Sequence, residues 1–535
     1  MTKVKKQMML DRLAAAARDG SISRRSFMNY SMAAGLTTTT ATGLWTTSAK
    51  AAPQRGGTWR LAHHDGNSSD THDPGTYVTF ASITLAHTYR SFLTQIETDQ
   101  SLGGDLASEW MATPDATEWT FKLKPAVFHS GKKMTAQDVI ASMNHHRGDA
   151  STSAAKALLA DVADIVDNGD MSITFKLNSP NADLPWLMTD YHLAICPGKE
   201  DGTIDWQSGD GTGPYKIVEN EFGVGCSLVR HEDWHNEGAY FDAVEILIVN
   251  DPNARQTAVV TGDVDSASQM ENKTLALLQR NPNIVVDNVP SAAAITMPMM
   301  TDQAPFDNPD VRMALKLAVN REEMVEKIQF GAATIGNDFH HSPAMPYFPE
   351  SIEQRTYDPD QARALLKKAG MEGLKVELST ADSVTSGAVD AAVLYSEHAK
   401  AAGIDITVVR EPNDGYYSDV WLKKPWCMVQ WGARPTPDVM YSLAYKDDAA
   451  WNEANWQNAR FNELLLIAKA ELDDTKRAEM YTEMGQIARD DGGTVIPYFP
   501  NFIYARRTNV KTGDSLAASW PMDGGRAASR WWFEG

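Results

Sequence analysis

Trp426-Cys-Met-Val-Gln-Trp-Gly-Ala-Arg-Pro-Thr-Pro-Asp438 changes character halfway along. Cys427 to Val429 is a short apolar run of the kind that makes a buried strand. Gly432, Pro435 and Pro437 then force a loop. Loops at the carboxyl ends of strands in open α/β sheets are where ligands bind. This loop carries an indole (Trp431), a guanidinium (Arg434) and a carboxylate (Asp438) within eight residues. A platform plus two opposite charges suffices to orient a small polar ligand. The competing reading is a surface turn with a half-buried tryptophan, and the rest of the chain has to decide between them.

Around this stretch the pattern is α/β. Upstream, residues 376–378 and 404–409 read as strands joined by a helix over about 387–402, a strand–helix–strand unit that implies a parallel sheet. Asp358-Pro359 opens a helix that Gly370 stops, and Asn308-Pro309 opens another expected to run to Gly331. A change of regime falls near Pro290. Before it, residues 57–62 and 118–124 alternate like half-buried strands, and residues 162–177 read as two strands around Asp167-Asn-Gly-Asp170. Thr135-Ala-Gln-Asp138 is a capping box with Asp at its third position. Downstream, residues 473–489 read as a late helix and 495–504 as a terminal strand pair.

The chain has 535 residues, enough for two or more domains. Its net charge is −21; the first 51 residues contribute +6, so the remainder carries −27. A body that acidic repels nucleic acid and anionic membrane, and neither is expected as a partner. No run approaches the roughly 18 apolar residues that a membrane span needs. Ser23-Arg24-Arg25-Ser26-Phe27-Met28 matches the twin-arginine export pattern, with Arg24, Arg25 and Phe27 as its core, and Ala49-Lys50-Ala51 is a small-x-small cleavage site. Residues 1–51 are therefore expected to be a signal peptide, with a mature start near Ala52 in the periplasm. Three cysteines, Cys196, Cys226 and Cys427, are too few for a disulfide scaffold. A Cys196–Cys226 bridge stays open.

Five blocks in order carry a resemblance: Gly104-Asp-Leu-Ala-Ser-Glu-Trp110, Trp119-Thr-Phe-Lys-Leu-Lys124, Phe128-His-Ser-Gly131 with Thr135-Ala-Gln-Asp-Val139, Gly211-Thr-Gly-Pro-Tyr-Lys216, and Pro305-Phe-Asp-Asn-Pro-Asp-Val-Arg-Met-Ala-Leu315. With them the chain resembles the family 5 periplasmic solute-binding proteins of ABC transporters, which include dipeptide-, oligopeptide- and nickel-binding members. The resemblance implies an α/β fold of the two-lobed periplasmic binding protein type, in its large, peptide-binding form with an extra subdomain. Lobe I would comprise 52–290, with 94–195 as the subdomain, and a C-terminal return over 496–535. Lobe II would span 291–495. It also implies a monomer that binds a peptide or small anionic solute between the lobes, delivers it to ABC permease subunits, and has neither cofactor nor catalytic residues. In peptide-binding members the loop after the cleft strand reads Trp-x-x-Asp, and the aspartate holds the peptide's amino terminus. Here Trp431 matches the tryptophan and Arg434 stands in the aspartate's place. A guanidinium pairs with a carboxylate or phosphate, not with an ammonium. Arg434 is thus expected to anchor an anion, unless it pairs internally with Asp438.

Further ligand contacts are expected after other strands: residues 68–72, with Asp70 and His72; Asp382 and Ser383; and Tyr416-Tyr417. Rigid aromatics give large contact area at low entropy cost. A competing constellation is His231-Glu-Asp-Trp-His235, a literal HExxH. That signature makes a zinc hydrolase only on a helix, where both histidines share a face with Glu232 beside them. Here a strand runs into it, and the resembled family has a strand-end turn there. The pairs His63-His64, His145-His146 and His340-His341 are not chelates by themselves, because adjacent side chains diverge. The His63 pair keeps a role as a possible ligand contact, and a metal chelate or haem as ligand is a further reading within the same fold. Gly211-Thr-Gly-Pro lacks the ending of a phosphate loop.

Overall fold

The computed structural model describes residues 24–33, 53–413 and 416–534. Residues 1–23 and 34–51 of the expected signal peptide, and Ala52 after it, lie outside the described residues. Arg24–Ala33 is a helix in which Phe27 is buried, and the side chains of Arg24 and Arg25 are likewise outside the description. Among the described residues, no helix is long and apolar enough to cross a membrane.

Three sheets organise the chain. The first has seven strands in the order Ile284–Val289, Phe502–Arg507, Ser266–Ala267, Thr58–His63, Ala243–Ile248, Gly225–Arg230, Tyr215–Glu221. The second has four, Ala333–Ile335, Thr494–Pro500, Ala294–Pro298 and Val429–Trp431. It is extended through the bridge Ser379↔Cys427 to the parallel pair Lys375–Thr380 and Asp405–Arg410. The third is an antiparallel four-stranded sheet, Ala107–Ala112, Glu118–Leu123, Ser172–Leu177 and Val162–Gly169, with its own apolar core around Phe121, Phe128 and Phe175. The first two sheets have separate cores as well, so the molecule is two-lobed with a subdomain.

The chain passes between the first two sheets twice, at 290–293 and at Asn501. The expected terminal strand pair is thus not a hairpin: Thr494–Pro500 pairs with Ala294–Pro298, whereas Phe502–Arg507 pairs with Ile284–Val289. The second passage falls five residues later than the boundary read at 495, because 494–500 is apolar and buried on both faces and periodicity cannot say which sheet such a run joins.

Local chemistry explains most elements. Thr135 and Asp138 form the reciprocal capping box at the head of Ala136–His145. Asp358 caps Pro359–Lys368, and Gly370 sits at φ +69 just beyond. The helix expected from Asn308 to Gly331 is two helices, Pro309–Leu317 and Arg321–Lys327, because Asn320 accepts from the Glu323 amide and starts a second helix. The Gly211–Gly213 turn serves close packing. A Cβ on Gly213 would stand 2.4 Å from the Tyr89 carbonyl carbon, so glycine is what lets the two backbones touch.

Lobe II encloses one carboxylate among three cations. Asp338 is fully buried; its Oδ1 accepts from Arg321 at 2.6 Å and from the Ile496 amide at 2.9 Å, and its Oδ2 accepts from Arg355 at 2.8 Å. Burial alone would raise its pKa, but Arg321 and Arg355, with Lys316 nearby, hold it below the usual carboxylate range. This cluster fixes the strand Thr494–Pro500 to the loop after Ala333–Ile335. All three cysteines are buried and free, so the bridge between Cys196 and Cys226 is absent.

Candidate functional site

The loop 432–436 leaves the edge strand Val429–Trp431, and Thr436 caps the helix Pro437–Ala444 that follows. Together they form one wall of a cavity of about 440 Å³. Arg434, Asp438 and Trp451 face it from lobe II, while Tyr77, Asp190, Tyr191 and Trp520 face it from the lobe I side. The volume lies in the range of about 300–1,000 Å³ typical of small-molecule sites. Tyr191 and Trp520 meet edge to face at 4.9 Å between centroids, so one wall is aromatic and rigid.

Arg434 donates from Nη1 to the carbonyls of Ala433, at 2.8 Å, and Gly432, at 3.2 Å. Its own loop therefore fixes the guanidinium. Burial lowers its pKa, while Tyr191 and Asp190 across the cavity oppose that shift. It makes no ion pair with Asp438. Asp438 is 5% exposed, its Oδ1 has no hydrogen-bond partner, and burial together with Asp183 pushes its carboxyl up to about 7. The internal Arg434–Asp438 pair is thus not formed.

Trp431 is not the platform expected. It is 3% exposed and sits behind Trp451, in a three-indole cluster with Trp421. Glu453 organises that cluster. Its Oε2 accepts from the indoles of Trp421 at 2.9 Å and Trp431 at 3.0 Å, and its Oε1 accepts from Thr296 at 2.8 Å. No cation offsets its burial, which raises the carboxyl to about 7. A raised acid holds, when folded, a proton that the unfolded chain releases. Stability from this group is therefore greatest below the ordinary value of 4.5 and is lost as pH rises to about 7. At 1.36 kcal/mol per unit the loss is of order 3 kcal/mol. A glutamine can present its oxygen to both indoles and its amide to Thr296. Glu453→Gln is thus expected to fold and to flatten the fall in denaturation midpoint between pH 5 and 8. Parallel pH profiles for the two proteins would contradict this.

The remaining expected contacts lie elsewhere. Tyr416 is buried and donates to the carbonyls of Met428 and Ser379, so it holds the sheet together. Tyr417 is 44% exposed and packs on Trp421. Asp70 accepts from the Asn67 amide and Thr79 beside a 30 Å³ recess in lobe I, space for little more than a water. His72 bonds the Tyr89 hydroxyl and packs on Phe222. Asp382 pairs with Arg410 at the surface. Of the eight residues expected to contact ligand, Arg434 and Asp438 line the cavity. The sequence reading missed Tyr77, Asp190, Tyr191, Trp451 and Trp520. Only Trp451-Asn-Glu-Ala-Asn-Trp456, dense in aromatic and amide groups, offered a signal.

The competing constellations dissolve. His231 to His235 occupy a turn after Gly225–Arg230. His231 bonds the Gly213 carbonyl, His235 bonds Asp105, and Glu232 pairs with Arg230 at the surface, so they do not converge on one point. His63 bonds Thr84 and the His64 carbonyl, and His64 bonds Ser268. Burial first of all pushes His63 down to about 4 and His64 well below its ordinary value. His145 pairs with Asp73, and His340 and His341 are core residues. Among the described residues no group of three His, Cys, Asp or Glu is placed to hold a metal.

The profile of bacterial extracellular solute-binding proteins, family 5 Middle, matches residues 101–453. The nickel-binding periplasmic protein of Escherichia coli (strain K12) is 25% identical over 355 residues, 61% of this chain and 66% of that protein. Di/tripeptide-binding protein 2 of Pseudomonas aeruginosa (strain UCBPP-PA14) is 25% identical over 447 residues, 76% of this chain and 82% of that protein. The chain thus spans just under two thirds of the first relative's length. Among solved structures, the periplasmic binding protein DppA of Helicobacter pylori in complex with the peptide STSA superposes with a TM-score of 0.70 at 22% identity, covering 92% of this chain and all of that one.

Proposed function

The chain belongs to family 5 of the bacterial extracellular solute-binding proteins, and from that membership we propose that it is the periplasmic receptor of an ABC importer. It holds a small peptide-like or anionic solute between its lobes and presents the closed form to the permease, as a monomer and without a catalytic step. The observation that carries this reading is the 440 Å³ cavity with Arg434 fixed on its wall. A ligand that touches both walls favours the closed arrangement by its differential affinity for the two states. We take the lobes to change where the chain changes sheets, at 290–293 and Asn501, with 94–195 as the subdomain.

A thermal-shift screen of di- and tripeptides, small carboxylates and nickel chelates is expected to yield a stabilising ligand. Small-angle scattering is then expected to show a smaller radius of gyration with that ligand bound. Tight binding with an unchanged radius of gyration would rule out closure. The reading also rests on export through the twin-arginine pattern. A double Arg24→Lys, Arg25→Lys precursor is expected to stay in the cytoplasm on fractionation, and normal export of that variant would refute the route.

A further inference from the structure

Lobe II meets the subdomain through a few charged groups. Asp183, at 1% side-chain exposure, pairs with Arg477, at 3%, on the helix Asp474–Asp491. Lys469 lies 3.1 Å from Asp161, and its carbonyl accepts from the Ala182 amide at 2.8 Å. Asp438 sits among them in the first turn of Pro437–Ala444. It is faced by Asp183 from the subdomain, by Lys469 from the helix Ala459–Ala470, and by Arg477 and Tyr481 from Asp474–Asp491. Tyr481 accepts from Arg477, and His341 packs its ring on Tyr441 and Tyr481 from behind. Arg477 is committed to Asp183 and Lys469 to Asp161. Asp438 is left with an unpartnered oxygen beside a second carboxylate.

We propose that Asp438 is a proton-coupled latch: docking of Asp183 onto Arg477, which closes the lobes, is favoured by uptake of a proton at Asp438. Two carboxylates cannot share one buried guanidinium at full charge without repulsion. With the lobes apart, Asp438 stands on a solvated helix end and titrates near its ordinary value of about 3.9. With the lobes together, burial and then Asp183 raise it to about 7. Between those values the closed form holds a proton that the open form lacks. Lower pH therefore favours closure, and the closure constant falls about tenfold per pH unit as pH rises through that window. Above about 7 it is flat. This inference rests on the two-lobe architecture and not on the identity of the ligand.

Spin labels test it without ligand. Met111, on the subdomain, and Leu466, on lobe II, are 64% and 63% exposed, and the three native cysteines are buried. Met111→Cys and Leu466→Cys can therefore be labelled selectively, and electron–electron resonance reads the distance between them from pH 5 to 8. The expected result is a short-distance population whose ratio to the long-distance population falls about tenfold per unit from pH 5 to about 7 and then levels off. Asp438→Asn should hold that ratio constant across the range, and Asp183→Asn, which removes the repelling charge, should make the decline level off at a lower pH. A pH-independent wild type, or an equal slope in Asp438→Asn, overturns the proposal. Circular dichroism confirms that each variant is folded, and Asp183→Asn carries the test if Asp438→Asn is not.

Discussion

Asp338→Ala is expected to destabilise lobe II by about 3–5 kcal/mol, the cost of removing one partner from a buried ionic cluster. Asp338 is the only carboxylate that Arg321 contacts within ion-pair distance among the described residues. Arg355 keeps a weaker contact with Asp490 at 3.4 Å, and Lys316, which burial pushes down to about 7, donates only to backbone carbonyls. Deleting the carboxylate leaves Arg321 buried with no counter-charge. It also strips the Ile496 amide of its acceptor in the strand that leads back to lobe I. For a lobe of about 200 residues this corresponds to a fall in Tm of order 10 °C. Asp338→Asn keeps an acceptor for Ile496 but not the charge, and should fall between alanine and wild type. Thermal unfolding followed by circular dichroism measures both. A loss below about 1 kcal/mol for the alanine variant would show that solvent reaches the cluster and that the pair is of the surface kind.

Where local pattern and tertiary structure demand the same residue, the fold was legible. Thr135 and Asp138, Asp358 with Gly370, and the strand–helix–strand unit ending at 410 each announce themselves through caps, stops and periodicity, and each is found in place. Where a run is apolar throughout, as at 494–500, sequence gives the strand but not its sheet. Where a cap lies inside an apolar-periodic stretch, as Asn320 does, the helix is read as too long.

The site was less legible because a cavity between two bodies is lined from loops distant in sequence. Arg434 and Asp438 stood out because a turn between a strand and a helix gathers charges in one place. Tyr191 and Trp520 come from segments with no period, and only the docking of the subdomain and the C-terminal return brings them opposite Arg434. Trp431 misled for a physical reason. An indole at a strand end serves equally well as a ligand platform or as a donor to a buried acceptor, and Glu453, 22 residues away, makes it the latter. The Tyr416 hydroxyl is claimed in the same way by two carbonyls of its own sheet.

Arg434→Ala is expected to weaken binding of a carboxylate-bearing ligand by about 2–5 kcal/mol, roughly thirtyfold to several thousandfold, as for truncation of one partner in a buried charged pair. The acidic body, near −27 after the first 51 residues, repels anions at long range. Affinity for an anion must therefore come from direct, desolvated contact, and Arg434 is built for it. Its Nη1 is spent on the Gly432 and Ala433 carbonyls, which orients the group. Among the described residues no hydrogen bond engages Nη2 or Nε, so that edge of the fork is free to receive a carboxylate. Asp190 across the cavity is already paired with His192 at 2.7 Å, and the fork does not bond it. Because Arg434 is fixed before the ligand arrives, little side-chain entropy is lost on binding, and the contact retains most of its worth. Arg434→Lys keeps the charge but loses the planar fork and its anchorage to the loop. It should also bind more weakly than wild type, though less so than alanine. Calorimetry with the ligand from the screen, and with its carboxamide analogue, separates charge recognition from packing. The wild type should prefer the acid strongly, and Arg434→Ala should bind acid and amide about equally. Binding of the acid by Arg434→Ala within twofold of wild type would show that the guanidinium shapes the loop without holding the ligand.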